Sequence, residues 1–241
     1  GTSPLDAAGV LLERAGKGDI VSGKLNGPGG KPVATASITT EINGKPLNGY
    51  PDEKGNFSFR LPVGKEHLLK VSDIGREGRE LELKAGEDPG VVILSAASAI
   101  TFNIKDEAGV SIPCKAQFNG TGDTKSPNLG PNNRAHGCLD QYQSETGRFR
   151  VAVPPGTYRV VVTHGMEYSH IEKQVSVATG AEVKLSGTLK RLVDTRGWLS
   201  TDYHNHSTPS GDNTCGTADR VINMAAEQLE FVPTTEHNRM F

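Results

Sequence analysis

Gly55-Asn-Phe57-Ser-Phe59-Arg-Leu61-Pro62-Val-Gly64 recurs 92 positions later as Gly147-Arg-Phe149-Arg-Val151-Ala-Val-Pro154-Pro-Gly156. In each copy an acidic residue two positions before the glycine, Glu53 or Glu145, opens a turn in which glycine supplies the positive φ that other residues resist. An aromatic residue follows, with a second apolar residue two places on, so both side chains share one face of a strand. Pro-x-Gly closes the strand. The next apolar run then returns: Leu68 to Val71 in the first copy, Tyr158 to Val162 in the second. Phe57, Phe149 and Tyr158 are therefore expected in hydrophobic cores rather than at a ligand.

The repeat extends upstream. Ile20 to Leu25 reads as a strand, Asn26 to Pro32 as a turn, and Val33 to Ile42 as a strand ended by the hairpin signal Asn43-Gly44. Asp106-Glu-Ala-Gly109-Val-Ser-Ile112-Pro-Cys114-Lys-Ala116 echoes the segment from Gly30 to Ser37. Short alternating strands punctuated by glycine and proline, twice over, predict a mostly β chain of two tandem sandwich modules, 19–96 and 97–190. The pattern resembles the carboxypeptidase-regulatory-like, transthyretin-like β-sandwich module, a spacer or docking unit in many proteins. The second copy has a longer loop, from about Gly120 to Asp140, with Pro127-Asn-Leu-Gly-Pro131, His136 and Cys138. A loop of this length either lies over a neighbouring site or is a surface excursion. His164, Glu167, Tyr168 and His170 follow the strand ending near Thr163. They either line a cleft or sit in a solvated loop.

The formal net charge is −2, from 26 basic and 28 acidic residues that are well mixed. With no basic patch, neither nucleic acid nor an anionic membrane is an expected partner, and no apolar run approaches the roughly 18 residues of a membrane span. Three cysteines, Cys114, Cys138 and Cys215, lack the spacing of a zinc knuckle. They read as isolated thiols, with a Cys114–Cys138 bridge as the alternative. Residues 1–18 form a helical lead-in, the helix running from Leu5 to Gly16 with Leu11, Leu12 and Ala15 on one face.

Residues 191–241 change character. Trp198 to His206 reads as a strand, Thr217 to Gln228 as a helix capped by Thr217 with Val221, Met224, Ala225 and Leu229 inward, and Glu230 to Thr235 as a second strand. His204 and His206 share one face of the first strand. Asp212 follows in a glycine-containing turn, and His237 ends the second strand. In a (β/α) barrel the strand C-termini converge on one face. His204, His206, Asp212 and His237 are accordingly candidate metal ligands, since imidazole and carboxylate suit zinc and related ions. Asp202 is placed to orient one of the histidines through its second ring nitrogen.

On these residues the segment from Gly197 to Asn238 resembles the start of the PHP (polymerase and histidinol phosphatase) metallohydrolase domain. His204-x-His206 with the Ser-Gly-Asp212 turn matches its first motif. Thr235-Glu236-His237-Asn238 matches its second, with Glu236 where the family usually has Asp. Gly165-Met-Glu167-Tyr168 and Gly197-Trp198 extend the likeness to the carbaryl-hydrolase-like (CehA/McbA) branch. The resemblance implies the first βαβ of a PHP barrel after the sandwiches, and two or three divalent ions (Zn, Mn or Fe) in the complete site. His204, His206, Asp212 and His237 are then ligands, and Asp202 and Glu236 the catalytic or orienting carboxylates. The activity implied is hydrolysis of a small-molecule phosphoester, ester or carbamate by metal-activated water.

The family's later ligands lie on strands beyond Phe241. The chain is thus expected to be the N-terminal portion of a larger hydrolase, inactive by itself. The alternative is a non-catalytic β-sandwich module that binds carbohydrate or protein and carries a vestigial tail. The module type points to a periplasmic or extracellular placement.

Overall fold

A computed structural model of the chain describes residues 3–238. It is mostly β, in two units, Gly1–Ala97 and Ser98–Phe241. Each unit is a sandwich of one three-stranded and one four-stranded sheet.

In the first unit the strands are β1 (Gly18–Asn26), β2 (Ser37–Ile42), β3 (Lys45–Gly49), β4 (Asn56–Pro62), β5 (Glu66–Ser72), β6 (Arg79–Lys84) and β7 (Gly90–Ile93). The sheets run β4-β1-β7 and β3-β2-β5-β6. In the second unit they are β8 (Ala99–Lys105), β9 (Cys114–Gly120), β10 (Gln141–Ser144), β11 (Arg148–Ala152), β12 (Gly156–Thr163), β13 (Ile171–Val177) and β14 (Glu182–Thr188). Their order is β11-β8-β14 and β10-β9-β12-β13, the same arrangement seven strands on. In both units the last strand pairs parallel with the first.

The repeated stretch builds the same corner twice. Gly55 has φ +80° and Gly147 φ +67°. A side chain at Gly55 would collide with the carbonyl oxygen of Leu25, and one at Gly147 with that of Ile112. The carbonyl of Gly55 accepts from Leu25 N, and that of Gly147 from Ile104 N, both at 2.8 Å. Only glycine combines the backbone angle with that approach. Beyond the corner, strand alternation sends Phe57, Phe59 and Leu61 into the first core with Ile38, Leu69 and Val71. In the second core Tyr158 is fully buried, and its hydroxyl donates to Pro154 O at 2.7 Å, satisfying its polar end. Phe149 is half-buried and stacks on Phe102, ring centroids 4.4 Å apart. Tyr142 also stacks on Phe149 at 5.2 Å, and His136 on Tyr142 at 5.2 Å, a chain of rings from loop to core.

The lead-in helix, α1, spans Pro4–Arg14 with a Ser3–Asp6 capping box. The buried face differs from the expected one. Leu5 and Gly9 are buried, with Ala8 and Leu12 packed on the core, whereas Leu11 is exposed. The seam runs i, i+3, i+4, i+7 from Leu5. The loop from 121 to 140 is a packed element, with Leu129 and Ala135 buried and Leu129 N donating to Leu139 O at 2.6 Å.

The βαβ start of a barrel does not form. Helix α2 (Thr217–Ala226) is present, but Gly216 rather than Thr217 occupies its N-cap, and Val221 points to solvent. The expected flanking strands reduce to one parallel bridge, Thr201 to Phe231. A single parallel bridge is no ladder, and parallel strands order mainly within sheets that are covered on both faces. Trp198 (78 % exposed), Leu199, Tyr203 and Phe231 accordingly remain on the surface.

Candidate functional site

The C-terminal segment brings the two motifs together through one backbone bond, Thr235 N to Asn205 O at 3.2 Å, and several side-chain bonds. Asn205 N donates to Thr235 Oγ1 at 2.8 Å, and Thr235 Oγ1 donates to Asn205 O at 2.7 Å. Glu236 accepts from Ser207 N at 2.9 Å and from Ser207 Oγ at 2.6 Å. Hydrogen bonds from the Ser207 hydroxyl, and next from Ser210, hold the Glu236 carboxyl well below the usual range, at about 2. Ser210 Oγ sits 3.0 Å from His206 Nδ1 and accepts from His237 N at 2.9 Å. Arg220 Nε donates to His206 O at 3.0 Å. Ser207, Ser210 and Arg220 thus align the motifs. Of these, the sequence pointed only to Ser210, as part of the Ser-Gly-Asp212 turn.

Three candidate ligands converge. Donor atoms of His206, Asp212 and His237 all lie within 4.8 Å of one another. His237 Nε2 is 3.1 Å from Asp212 Oδ2, and His206 Nδ1 is 3.9 Å from Asp212 Oδ1. His206 is largely covered, whereas Asp212 and His237 are more than half exposed. His204 lies beside them, its ring centroid 4.9 Å from that of His206, but it does not join the cluster of three. Asp202 accepts from His204 N at 2.9 Å, a turn contact on the backbone rather than on an imidazole.

The residues after β12 are partly covered and partly exposed. His164 is buried, with Nδ1 3.3 Å from Ala226 O and its ring edge-on to Tyr168 at 4.6 Å. Burial lowers its pKa, outweighing the Ala226 carbonyl and nearby Glu227 and Glu167, which act the other way. Glu167 pairs with Arg191 and accepts from Thr195 Oγ1 at 2.9 Å, while His170 is exposed. Lys115 pairs with Glu227, fastening the end of α2 to β9.

Other recesses also carry polar side chains, one of them about 470 Å³ beside Glu41, Glu66 and Lys70 in the first unit. An open groove of about 700 Å³ in the first unit is lined by Ser22, Lys24, Tyr50, Asp52, Asn56 and Asp88. A smaller cavity of about 280 Å³ in the second unit lies between the 121–140 loop and the start of α2.

No family model matches the chain, and no curated protein matches it. Among solved structures it is similar to the Bacillus anthracis TIE protein, at 14 % identity over 73 % of this chain and 34 % of that one, TM-score 0.30. It is also similar to a streptococcal ancillary pilin, at 12 % identity over 73 % and 62 %, TM-score 0.37. A third is the shaft pilin spaA of Lactobacillus rhamnosus GG, at 15 % identity over 72 % and 98 %, TM-score 0.35. The chain spans about a third and under two thirds of the first two. At these scores the likenesses carry no argument about activity.

The PHP assignment is corrected on these findings. Neither a family model nor a curated relative supports it, and the solved structures to which the chain is similar include pilin, TIE and cohesin–dockerin proteins. With it go the expected hydrolase activity and the carbaryl-hydrolase-like (CehA/McbA) branch. Physically, the two motifs are short polar sequences that meet through serine and threonine bonds, and that meeting does not need a barrel. Among the described residues, no helix is long and apolar enough to cross a membrane.

Proposed function

We propose that this chain is a non-catalytic binding module made of two β-sandwich units, with a carbohydrate-binding face on the first. The groove of the first unit carries this reading. Tyr50, 56 % exposed, stands there beside the carboxylates of Asp52 and Asp88 and the side chains of Ser22, Lys24 and Asn56. One aromatic face among mixed hydrogen-bond donors and acceptors suits a sugar ring, which offers both an apolar C–H face and hydroxyls. Asp52 is already oriented, accepting from Asn56 N at 2.8 Å and Asn56 Nδ2 at 3.0 Å. Titration calorimetry against a panel of neutral and acidic oligosaccharides tests this. Binding that falls at least about tenfold in Tyr50→Ala, the loss of about 1.4 kcal/mol, supports the groove. A panel with no binder, or binding unchanged in Tyr50→Ala, overturns it. Placement outside the cytoplasm belongs to the same reading.

A separate observation favours a second role for the C-terminal segment. His206, Asp212 and His237 offer two imidazole nitrogens and a carboxylate oxygen, a set that suits zinc, with manganese or iron as other candidates. An ion held there would replace the direct His237–Asp212 contact and tie the 206–212 turn to the segment at 235–237. Zinc titration should give one site per chain, lost in His237→Ala. Equal binding by wild type and variant would refute this assignment.

A further inference from the structure

Cys138 and Cys215 line one cavity of about 280 Å³ in the second unit, with Asn133, Thr214 and Arg220 around them. Cys138 belongs to the long loop, and Cys215 to the turn before α2. Their segments are already fastened beside the thiols. Asn133 Nδ2 donates to Thr214 O at 3.2 Å, and Ala135 N donates to Asp219 Oδ1 at 2.8 Å. Both cysteine backbones are held as well. Cys138 exchanges hydrogen bonds with Gln141 at 2.8 and 2.9 Å, and Cys215 N donates to Asn213 Oδ1 at 2.7 Å. The Cys215 sulfur makes only long contacts, 3.7 Å to Gly216 O and 4.0 Å from Asn223 Nδ2. Burial raises the Cys215 thiol pKa, and the neighbouring Cys138 adds to the rise, so the two groups sense each other. Cys114 is different: it is fully buried on β9 within the sandwich core.

We propose that Cys138 and Cys215 form a disulfide that ties the long loop of the second sandwich to the turn carrying Asp212. The structure holds the reduced form, with all three cysteines free. Cys138 is the more exposed of the pair and reacts first. Its thiolate attacks an external disulfide such as oxidised glutathione, forming a mixed disulfide and releasing one reduced thiol. The Cys215 thiolate then attacks the Cys138 sulfur. The S–S bond closes and the second reduced thiol leaves. Both protein thiols lose their protons, and the two electrons reduce the external disulfide to two thiols. The Cys114–Cys138 bridge considered from sequence is disfavoured, because Cys114 is sealed in the core.

The test is a thiol count on the whole chain after incubation with oxidised glutathione, removal of excess reagent, and denaturation. One free thiol instead of three is expected, with the linked peptides containing Cys138 and Cys215. Cys138→Ser, a change at a partly exposed site, should retain both of its thiols after the same treatment. Cys114→Ser should lose both. Three free thiols in the wild type, persistent mixed disulfides, or a mapped bond involving Cys114 would overturn the proposal.

Discussion

The connection between the second and third strands separates the two units. In the first unit β2 and β3 are joined by Asn43-Gly44, with φ +53° and +74°, a two-residue hairpin whose twist matches its strands. In the second unit the equivalent strands β9 and β10 are joined by the whole 121–140 loop. The sheets are otherwise ordered alike. The insertion is tolerated because it closes on itself and buries its own Leu129 and Ala135. It also gives the C-terminal segment attachment points, through Asn133 and Ala135. The shared sandwich holds each core, and the long connection adds to the second unit contacts to the C-terminal segment beside those of Lys115 and His164.

Substitutions in the repeated stretch strain this comparison most. Phe57→Ala should cost about 3–5 kcal/mol, the usual range for a fully buried phenylalanine. Phe149→Ala should cost less, because that ring is only half-buried. Denaturant unfolding of the two variants measures the difference, and equal losses would show that the chain of rings contributes more than its burial. Gly55→Ala and Gly147→Ala come next. Each forces a side chain into positive φ against a carbonyl, so each should cost at least about 2 kcal/mol. Similar losses would confirm that one corner is used twice, whereas a mild effect at either site would break the equivalence.

Smaller effects isolate what is peculiar to each unit. Ser3→Ala removes the cap of α1 and should cost about 1 kcal/mol, with faster amide exchange confined to the helix and the strands beneath it. His164 tests the second unit. Its pKa is lowered from 6.5 by burial, so the unfolded state binds the proton first. Stability from this group is complete above pH 6.5 and declines as pH falls below that value. Exchange near Ala226 and Glu227 should quicken over that range in the wild type and not in His164→Phe. Identical pH profiles would remove His164 as the cause.

The tandem sandwich was legible because Gly55 and Gly147 answer a local steric demand, and because Phe57, Phe59 and Leu61 alternate at the strand period. The hairpin at Asn43-Gly44 was legible for the same reason. The buried face of α1 was not. Leu11 and Leu12 are equally apolar, and only the position of Leu5 under the sheet chooses between them. The strands around α2 were misread: Trp198 to His206 and Glu230 to Thr235 have strand composition, but among the described residues they share a single parallel bridge, Thr201 to Phe231. Composition reports what a segment prefers, and pairing depends on what surrounds it. For the candidate site, the sequence placed His204, His206, Asp212 and His237 together, and the structure gathers ligand atoms of His206, Asp212 and His237 within 4.8 Å with His204 outside that group. The work of Ser207 and Ser210 was not anticipated, since serines in a turn have many possible partners.

Trp198 is the only tryptophan in the chain, and it stands largely in water. Its emission should therefore be red-shifted and readily quenched by iodide, and unfolding should change it little. Intrinsic fluorescence is thus a poor thermometer for either core. It is instead a built-in reporter on one patch of surface, which will turn blue when something covers Trp198.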